Sequence, residues 1–385
     1  MRRKFLPFSP PFISNEEIKE VTDTLKSDWI TTGPKVKRLE EDFLHFLGSS
    51  SALALNSCTG ALHTALATLG VGREEEVITT TMTFASTVNV IEHVGARPVL
   101  VDVEADTLNI NPEGVAAAIT TKTKAIMPVH YAGHPADLDP IYDLARRHNL
   151  FVIEDAAHAF PAEYKGHKIG SGKNPVAFSF YATKNITTAE GGMLTGEEAF
   201  IERARIISLH GMSHDAWKRY DKGGSWYYEV IYPGFKYNMT DIQASIGLAQ
   251  LKKVNSFQKR RREIVTAYNE AFKGQVALET PVVRPEVAHA WHLYVLRLNS
   301  NVLTIGRDQF IEELKIRNIG TSVHFIPIHL HPYYRDKYGY KPEDFPIAYS
   351  NYLRLLSLPL YPRMTDQDVT DVIEAVLDII ERYKR

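Results

Sequence analysis

Short apolar runs separated by longer amphipathic stretches dominate the first half of the chain. SALAL (51–55), VITT (77–80), ARPVLVDV (96–103), KAIMPV (124–129), LFVIE (150–154), VAFSFY (176–181) and GMLT (192–195) each have the length of one strand. The runs are apolar on both faces, and the gaps between the first five leave room for crossover helices. That pattern predicts a mostly parallel sheet covered on both sides. One crossover helix is explicit: Leu62, Ala65, Leu66 and Leu69 recur at i, i+3, i+4 and i+7, with Gly70 as a stop. An earlier helix opens at Ser14-Asn15-Glu16-Glu17, a capping-box pattern, with Ile18, Val21 and Leu25 on one face.

The last two runs lie only about ten residues apart, close to the minimum for a packed crossover. The stretch between them, which carries Lys184, is therefore predicted to be irregular backbone at a sheet edge, where ligands bind in such folds. From Thr240 the pattern lengthens: Ile242, Ile246 and Ala249 share a face, as do Ile264, Tyr268 and Phe272 before Gly274. A strand-like AWHLYVLRL (290–298), a helix near 307–317, a strand around TSVHFIP (321–327) and a helix opening at Thr365 follow. The expectation is an N-terminal segment and large α/β domain over 1–250, then a small α+β domain over 251–385.

Composition narrows the function classes. A net charge of −2 over 385 residues gives no basic field for nucleic acid. The run Lys259-Arg260-Arg261-Arg262 reads as a solvated or salt-bridged helix face. No apolar run approaches the ~18 residues of a membrane span, and prolines break MRRKFLPFSPPF as a signal segment. The single cysteine, Cys58, excludes an intrachain disulfide; a cytoplasmic location is expected. His210 and His214 stand at i, i+4 but lack a third ligand and an HExxH motif, so no metal site is expected.

Three short segments carry chemistry, each with an ordinary structural reading. In NSCTGALHTALATLG (56–70) a strand turns through Ser57 and Thr59 into a helix, which is anion-binding geometry or plain capping; GxGxxG and GxxxxGK[ST] are both missing. LFVIEDAAHAF (150–160) ends a buried strand on Glu154 and Asp155, a carboxylate at the ligand edge of the sheet or a helix cap. Lys184 follows FSFY, and a dehydrated lysine loses its proton easily enough to act as a nucleophile. Lys165, Lys168 and Lys173 fall instead in a predicted surface hairpin and loop. A phosphate cradle, a carboxylate and a reactive amine are the three demands of pyridoxal phosphate (PLP), and Phe84 could supply a ring to lie against the pyridine.

With those residues set out, the chain resembles the DegT-type sugar-nucleotide aminotransferases, through SDWITTGPKVKRLEEDF, EDAAHA, SFYATKNITTAEGGM, PGFKYNMTDIQA and SLPLYP. The resemblance spans nearly the whole chain. It implies PLP-dependent transferase fold type I, aspartate-aminotransferase-like, with a seven-stranded, mostly parallel sheet. It also implies that Lys184 joins the cofactor aldehyde, that Asp155 pairs with the ring nitrogen and that Phe84 stacks on the ring. His158 would lie beside the cofactor, where the family has Gln or His. Thr59, Gly60 and Ser179 would hold the phosphate, with Asn238 reaching it from the second subunit of a homodimer. Many members read GYNYR where this chain has GFKYN (234–238), which leaves Asn238 and Lys236 as alternatives for that contact. Thr31, Thr32 and His329 would approach the substrate.

GFKYN, HAWH (289–292) and HYAGHPAD (130–137) most resemble the branch that makes UDP-4-amino-4-deoxy-L-arabinose. The implied reaction moves an amino group from L-glutamate to a keto carbon, C4, of a UDP-linked sugar for cell-surface polysaccharide or lipopolysaccharide. A dTDP-linked 3-keto or 4-keto sugar is the alternative substrate. A non-catalytic regulatory protein on the same scaffold would have eroded the Lys184, Asp155 and phosphate-loop set, and a related dehydratase would carry histidine at position 184.

Overall fold

The computed structural model describes residues 2–212 and 227–385. Helices α1 (Asn15–Leu25) and α2 (Pro34–Leu47) lead into β1 (Ser51–Leu55), α3 (Cys58–Thr68), β2 (Glu76–Thr80), α4 (Ala85–His93) and β3 (Arg97–Val101). Then come α5 (Pro112–Ala118), β4 (Thr123–Met127), α6 (Leu138–His148), β5 (Phe151–Val152) and β6 (Glu154–Asp155). A hairpin of β7 (Glu163–Tyr164) and β8 (His167–Lys168) precedes β9 (Val176–Ser179), β10 (Gly192–Gly196) and α7 (Glu198–Ser208). The remainder comprises α8 (Asp241–Leu251), α9 (Val254–Phe272), β11 (Leu278–Glu279), β12 (Val287–Ala288), β13 (Tyr294–Leu298), α10 (Arg307–Ile316), α11 (Pro332–Tyr338), α12 (Pro346–Tyr352), β14 (Leu355–Leu358) and α13 (Asp366–Tyr383).

Every predicted apolar run of the first half contains a strand. The strands order as β3-β2-β4-β5 and β6-β9-β10-β1. Pairing is parallel from β3 through β5 and between β6 and β9; only β10, flanked by β9 and β1, runs antiparallel to its neighbours. The two sets meet in the run 151–155, which pairs with β4 through its first residues and with β9 through its last. Three further bonds stitch that run to the β4 side: Ile153 N to Ile126 O at 3.0 Å, Asp155 N to Pro128 O at 2.9 Å and His130 N to Asp155 O at 3.0 Å.

The C-terminal elements build their own core from Tyr268, Tyr294, Phe310, Leu356 and Ile379, joined by Leu6 from the start of the chain. The segment TSVHFIP, expected as a strand, pairs with β14 only at Ser322–Ser357. Tyr131 Oη takes the His324 carbonyl, and the amide of Ile328 goes to Thr81 O, so cross-links to the large sheet replace a ladder. AWHLYVLRL is a strand only from Tyr294, because Trp291 turns the backbone with φ +50°. Arg261, expected on a solvated face, is buried and donates to Trp291 O and Leu360 O, whereas Arg260 pairs with Asp366 at the surface. Among the described residues no helix is long and apolar enough to cross a membrane.

Helix α1 has the capping box read from the sequence, yet it is mounted apolar side out. Ile18 and Leu25 are exposed while Glu17 and Thr24 are buried. Glu17 accepts from Ser14, Gln250 and Lys253. Burial opposes its charge, but those bonds win and hold the carboxyl at about 2.

Remote carboxylates finish two helices that cannot cap themselves. Gly33 at the start of α2 has no side chain to offer, and Asp241 accepts instead from Lys35 N and Val36 N, each at 3.0 Å. Asp102 does the same for α12, accepting from Ile347 N at 2.9 Å and Ala348 N at 2.8 Å. Asp241→Ala orphans one buried and one partly buried donor and is expected to cost about 1–2 kcal/mol. Differential scanning calorimetry should register this as a midpoint lowered by about 1–3 °C.

Candidate active site

A cavity of about 530 Å³ opens at the carboxyl ends of the parallel strands, and the segments predicted to carry chemistry converge on it. Ser57, Cys58 and Thr59 line it from the start of α3. Ser57 caps that helix, accepting from Gly60 N at 3.0 Å; this leaves the amides of Cys58 and Thr59 ahead of the first intrahelical bond and aligned with the helix dipole. Gly192 makes the approach possible: a Cβ there would lie 2.5 Å from the Ser57 carbonyl carbon. The start of β10 can therefore sit directly against the helix-entry turn.

Strand alternation separates the two carboxylates of β6. Glu154 turns away, into bonds with His130 and Tyr142. Asp155 turns to the cavity, accepting from Thr87 Oγ1 at 2.8 Å and Ala157 N at 3.0 Å. It has no ion-pair partner within 4 Å among the described residues. Dehydration accordingly raises its carboxyl above the ordinary value, against the pull of Thr87, Ala157 and the Lys184 charge.

Lys184 stands on irregular backbone between β9 and β10, its N–H bonded to Tyr181 O at 2.9 Å, with its side chain lining the cavity. Removal from water lowers its ammonium to about 8, although Cys58 and Asp155 act in the opposite direction. The neighbouring Asn185 anchors the segment by donating to Phe160 O and Ala290 O, both at 2.8 Å. The competing lysines are elsewhere: Lys165 and Lys173 are exposed, and Lys168 donates to Phe46 O.

Phe84, Ser179 and His158 complete the predicted set at the cavity. Phe84 is 63 % exposed at the entry to α4, so a whole ring face is presented to whatever occupies the space. His158 accepts at Nδ1 from Ala132 N, 3.3 Å away, and its ring lies 4.4 Å from that of His292 and 5.5 Å from that of Phe325.

Other predicted residues do not line this cavity. Gly60 is one residue further into α3, its amide spent on Ser57. Thr32, Lys236 and Asn238 form a separate cluster: Asn238 Nδ2 donates to Thr32 Oγ1 at 2.6 Å, Lys236 Nζ donates to Asn238 Oδ1, and Asp241 N bonds Thr31 O at 2.9 Å. His329 is fully buried, bonded to Thr81 Oγ1 at 2.7 Å and stacked on Phe345. His214 lies outside the described residues, and among those described no group of three or more His, Cys, Asp or Glu is arranged to hold a metal.

The sequence reading did not assign His292, His324, Phe325, Tyr181 or Thr183, all of which line the cavity. The first two sit in HAWH and TSVHFIP, segments read as a likeness motif and a strand. A histidine flanked by aromatics was the available signal, and it is equally the signature of an ordinary core histidine.

The chain matches known proteins over nearly its full length. The sequence pattern of the DegT/DnrJ/EryC1/StrS aminotransferase family matches residues 11–377. An uncharacterized Methanocaldococcus jannaschii protein is 58% identical over 385 residues, covering 100% of both chains. Spore coat polysaccharide biosynthesis protein SpsC of Bacillus subtilis is 53% identical over 382 residues, covering 99% of this chain and 98% of its own. Among solved structures, Spr1654 from Streptococcus pneumoniae, named as a sugar aminotransferase, superposes in its PMP form with a TM-score of 0.92 at 37% identity, covering 98% of this chain and 99% of that one. Its PLP form gives 0.91 at 36% identity. A dehydrated lysine, a buried carboxylate and a helix entry around one cavity, in a chain matched over nearly its full length, make this protein a member of the DegT/DnrJ/EryC1/StrS aminotransferase family.

Proposed function

We propose that this enzyme moves an amino group from L-glutamate to C4 of a UDP-linked keto sugar, in the cytoplasm, for cell-surface polysaccharide or lipopolysaccharide. The observation that carries the reading is the juxtaposition of Lys184, dehydrated to about 8, and Asp155, buried without a counter-ion, in one cavity beside the α3 entry. The scaffold is read as fold type I, with a seven-stranded sheet and a division of the chain near residue 250.

The residues fit PLP, the cofactor of this transferase. Asp155 is a buried anion that a protonated ring nitrogen would neutralise, the Cys58 and Thr59 amides with the Thr59 and Ser179 hydroxyls suit a phosphate, and Phe84 offers a ring face. Gly60 and Asn238 remain part of the phosphate reading, and Thr31, Thr32 and His329 part of the substrate reading, by resemblance. When bound, the cofactor supplies an aldehyde that carries the amino group and a ring that withdraws electrons from the reacting carbon.

The protein's share is binding, orientation and proton movement. Asp155 would keep the ring nitrogen protonated, and its bonds, from Thr87 to Oδ2 and from Ala157 N to Oδ1, fix the carboxylate in place. Lys184 Nζ would hold the cofactor's aldehyde, and as a neutral amine it would take the proton from the donor's α-carbon and give it back. A pKa near 8 suits both tasks, since the amine can accept a proton and give it up at neutral pH. In the second half-reaction the same Nζ moves a proton in the reverse sense.

Two copies of the chain are proposed to share their sites. Supporting this is the apolar stripe of α1, which with Trp29 and Ile30 remains exposed, beside a groove of about 430 Å³ lined by Ile13, Ile18, Val21, Ala182 and Ile246. The Thr32–Asn238–Lys236 cluster, apart from its own chain's cavity, is then free to serve the partner's. Light scattering should give twice the 43.5 kDa chain mass, and Ile18→Glu should halve it. A wild-type mass of one chain would overturn the shared-site reading.

The chemistry is tested spectroscopically. Purified protein should show a visible cofactor band that bleaches with L-glutamate and returns with the correct keto sugar. UDP- and dTDP-linked 3-keto and 4-keto sugars are the panel, and Lys184→Ala should lack the band. In cofactor-free protein, acylation of Lys184 read by mass spectrometry should rise with pH through about 8, because only the neutral amine reacts and roughly a tenth is neutral at pH 7. A midpoint near 10 would refute the dehydrated lysine.

A further inference from the structure

An amino acid donor brings an α-carboxylate into the cavity, yet among the described residues no arginine lines it, and the one lysine among them there, Lys184, is already committed. The cavity wall formed by the C-terminal half is instead imidazole: His292 and His324, with His158 and Phe325 packed between them.

The hydrogen bonds fix how these rings face. His158 Nδ1 accepts an amide N–H from Ala132, which leaves its proton on Nε2. His324 Nδ1 lies 2.9 Å from Ser357 Oγ, a hydroxyl able to donate to it. His292 is 5 % exposed, and its Nδ1 is buried without a partner. A buried N–H with no acceptor costs more than a bare lone pair, so the proton belongs on Nε2 there too. With those tautomers each of the three rings, all of which line the cavity, has an Nε2–H that enters no hydrogen bond among the described residues.

Behind this wall lies a cation with no anion. Arg261 is 2 % exposed and spends its donors on the carbonyls of Trp291, 3.1 Å away, and Leu360, 2.8 Å away, while its Nε is unpartnered. No carboxylate lies within salt-bridge distance of it among the described residues. The groups whose charge acts on His292 are His158, Lys184, Arg261 and His324, and with burial they hold its ring neutral. A buried positive charge behind a surface of neutral N–H donors favours an anion on that surface.

We infer that the imidazole wall, with His292 as the member backed by the Arg261 charge, is the binding site for the α-carboxylate of the amino donor. The inference rests on the aminotransferase reading and not on glutamate in particular. Arg261 acts through the Trp291 carbonyl and is a positioning residue; His292 is the group that touches the ligand.

The test uses two ligands that lack an α-hydrogen, 2-aminoisobutyrate and tert-butylamine, in which a methyl replaces the carboxylate, each titrated into holoenzyme against the visible cofactor band. Wild type should bind the amino acid at least tenfold more tightly than the amine. His292→Leu should weaken the amino acid about tenfold or more and the amine less than twofold, and His292→Gln, which restores an N–H donor, should recover most of the loss. Equal weakening of both ligands would mean a merely structural role, and unchanged affinity for the amino acid in His292→Leu would overturn the site. So would a wild type that does not distinguish the two ligands. If 2-aminoisobutyrate behaves as expected while L-glutamate leaves the band unchanged, the choice of glutamate fails and the carboxylate wall stands.

Discussion

The run of residues 151–155 holds the architecture together. Its first residues pair with β4 and its last with β9, so among the described residues it is the strand run paired with both halves of the sheet. Such a strand must be apolar on both faces, and it is, until it reaches Glu154 and Asp155. The charged pair is tolerated there because each carboxylate is accounted for: Glu154 by His130 and Tyr142, Asp155 by Thr87 and the Ala157 amide. Everything that meets at the cavity is indexed to this strand end.

Burial does the chemical tuning. The same exclusion of water that lowers the Lys184 ammonium raises the Asp155 carboxyl, and neither shift is cancelled by a close ion pair. Glu17 presents the contrary case. Buried at the foot of α1, it is given enough donors to stay ionised well into acid, and its role is to hold α1 against α8 and α9. Contrasting the three separates groups held ready for reaction from a group held for structure.

The strands and long helices were legible because their periodicity is enforced by burial on known faces. The three chemical segments were legible because each breaks that periodicity at a strand end. Less could be read where tertiary contacts override local preference. TSVHFIP has strand composition, yet Ser357 holds Ser322 and His324, Tyr131 holds the His324 carbonyl and Thr81 holds Ile328 just beyond it, and no local signal announces those partners. The α1 stripe was correctly read as one face, but a sequence does not say whether such a face turns inward. Thr32, Lys236 and Asn238 were expected near the ligand, and in a single chain they bond to one another away from the cavity. Arg261 was the least readable of all, because nothing in a run of four basic residues marks the one that is buried.

The placement of Leu6 bears on the order in which the molecule can be completed. Leu6 bonds through its amide to Asn318 O and through its carbonyl to Gly320 N, each at 2.8 Å, and Arg2 reaches Asp368 and Asp371 in α13. A few residues later Ser9 contacts the Thr183 carbonyl, immediately before Lys184. During synthesis the opening segment therefore waits for nearly the whole chain to emerge before it can dock. A nascent or truncated chain that has formed the large sheet still lacks both this strap and the imidazole wall. Completion of the cavity's surroundings thus becomes a late event, reached when residues 2–9 meet Asn318, Gly320, Asp368 and Asp371.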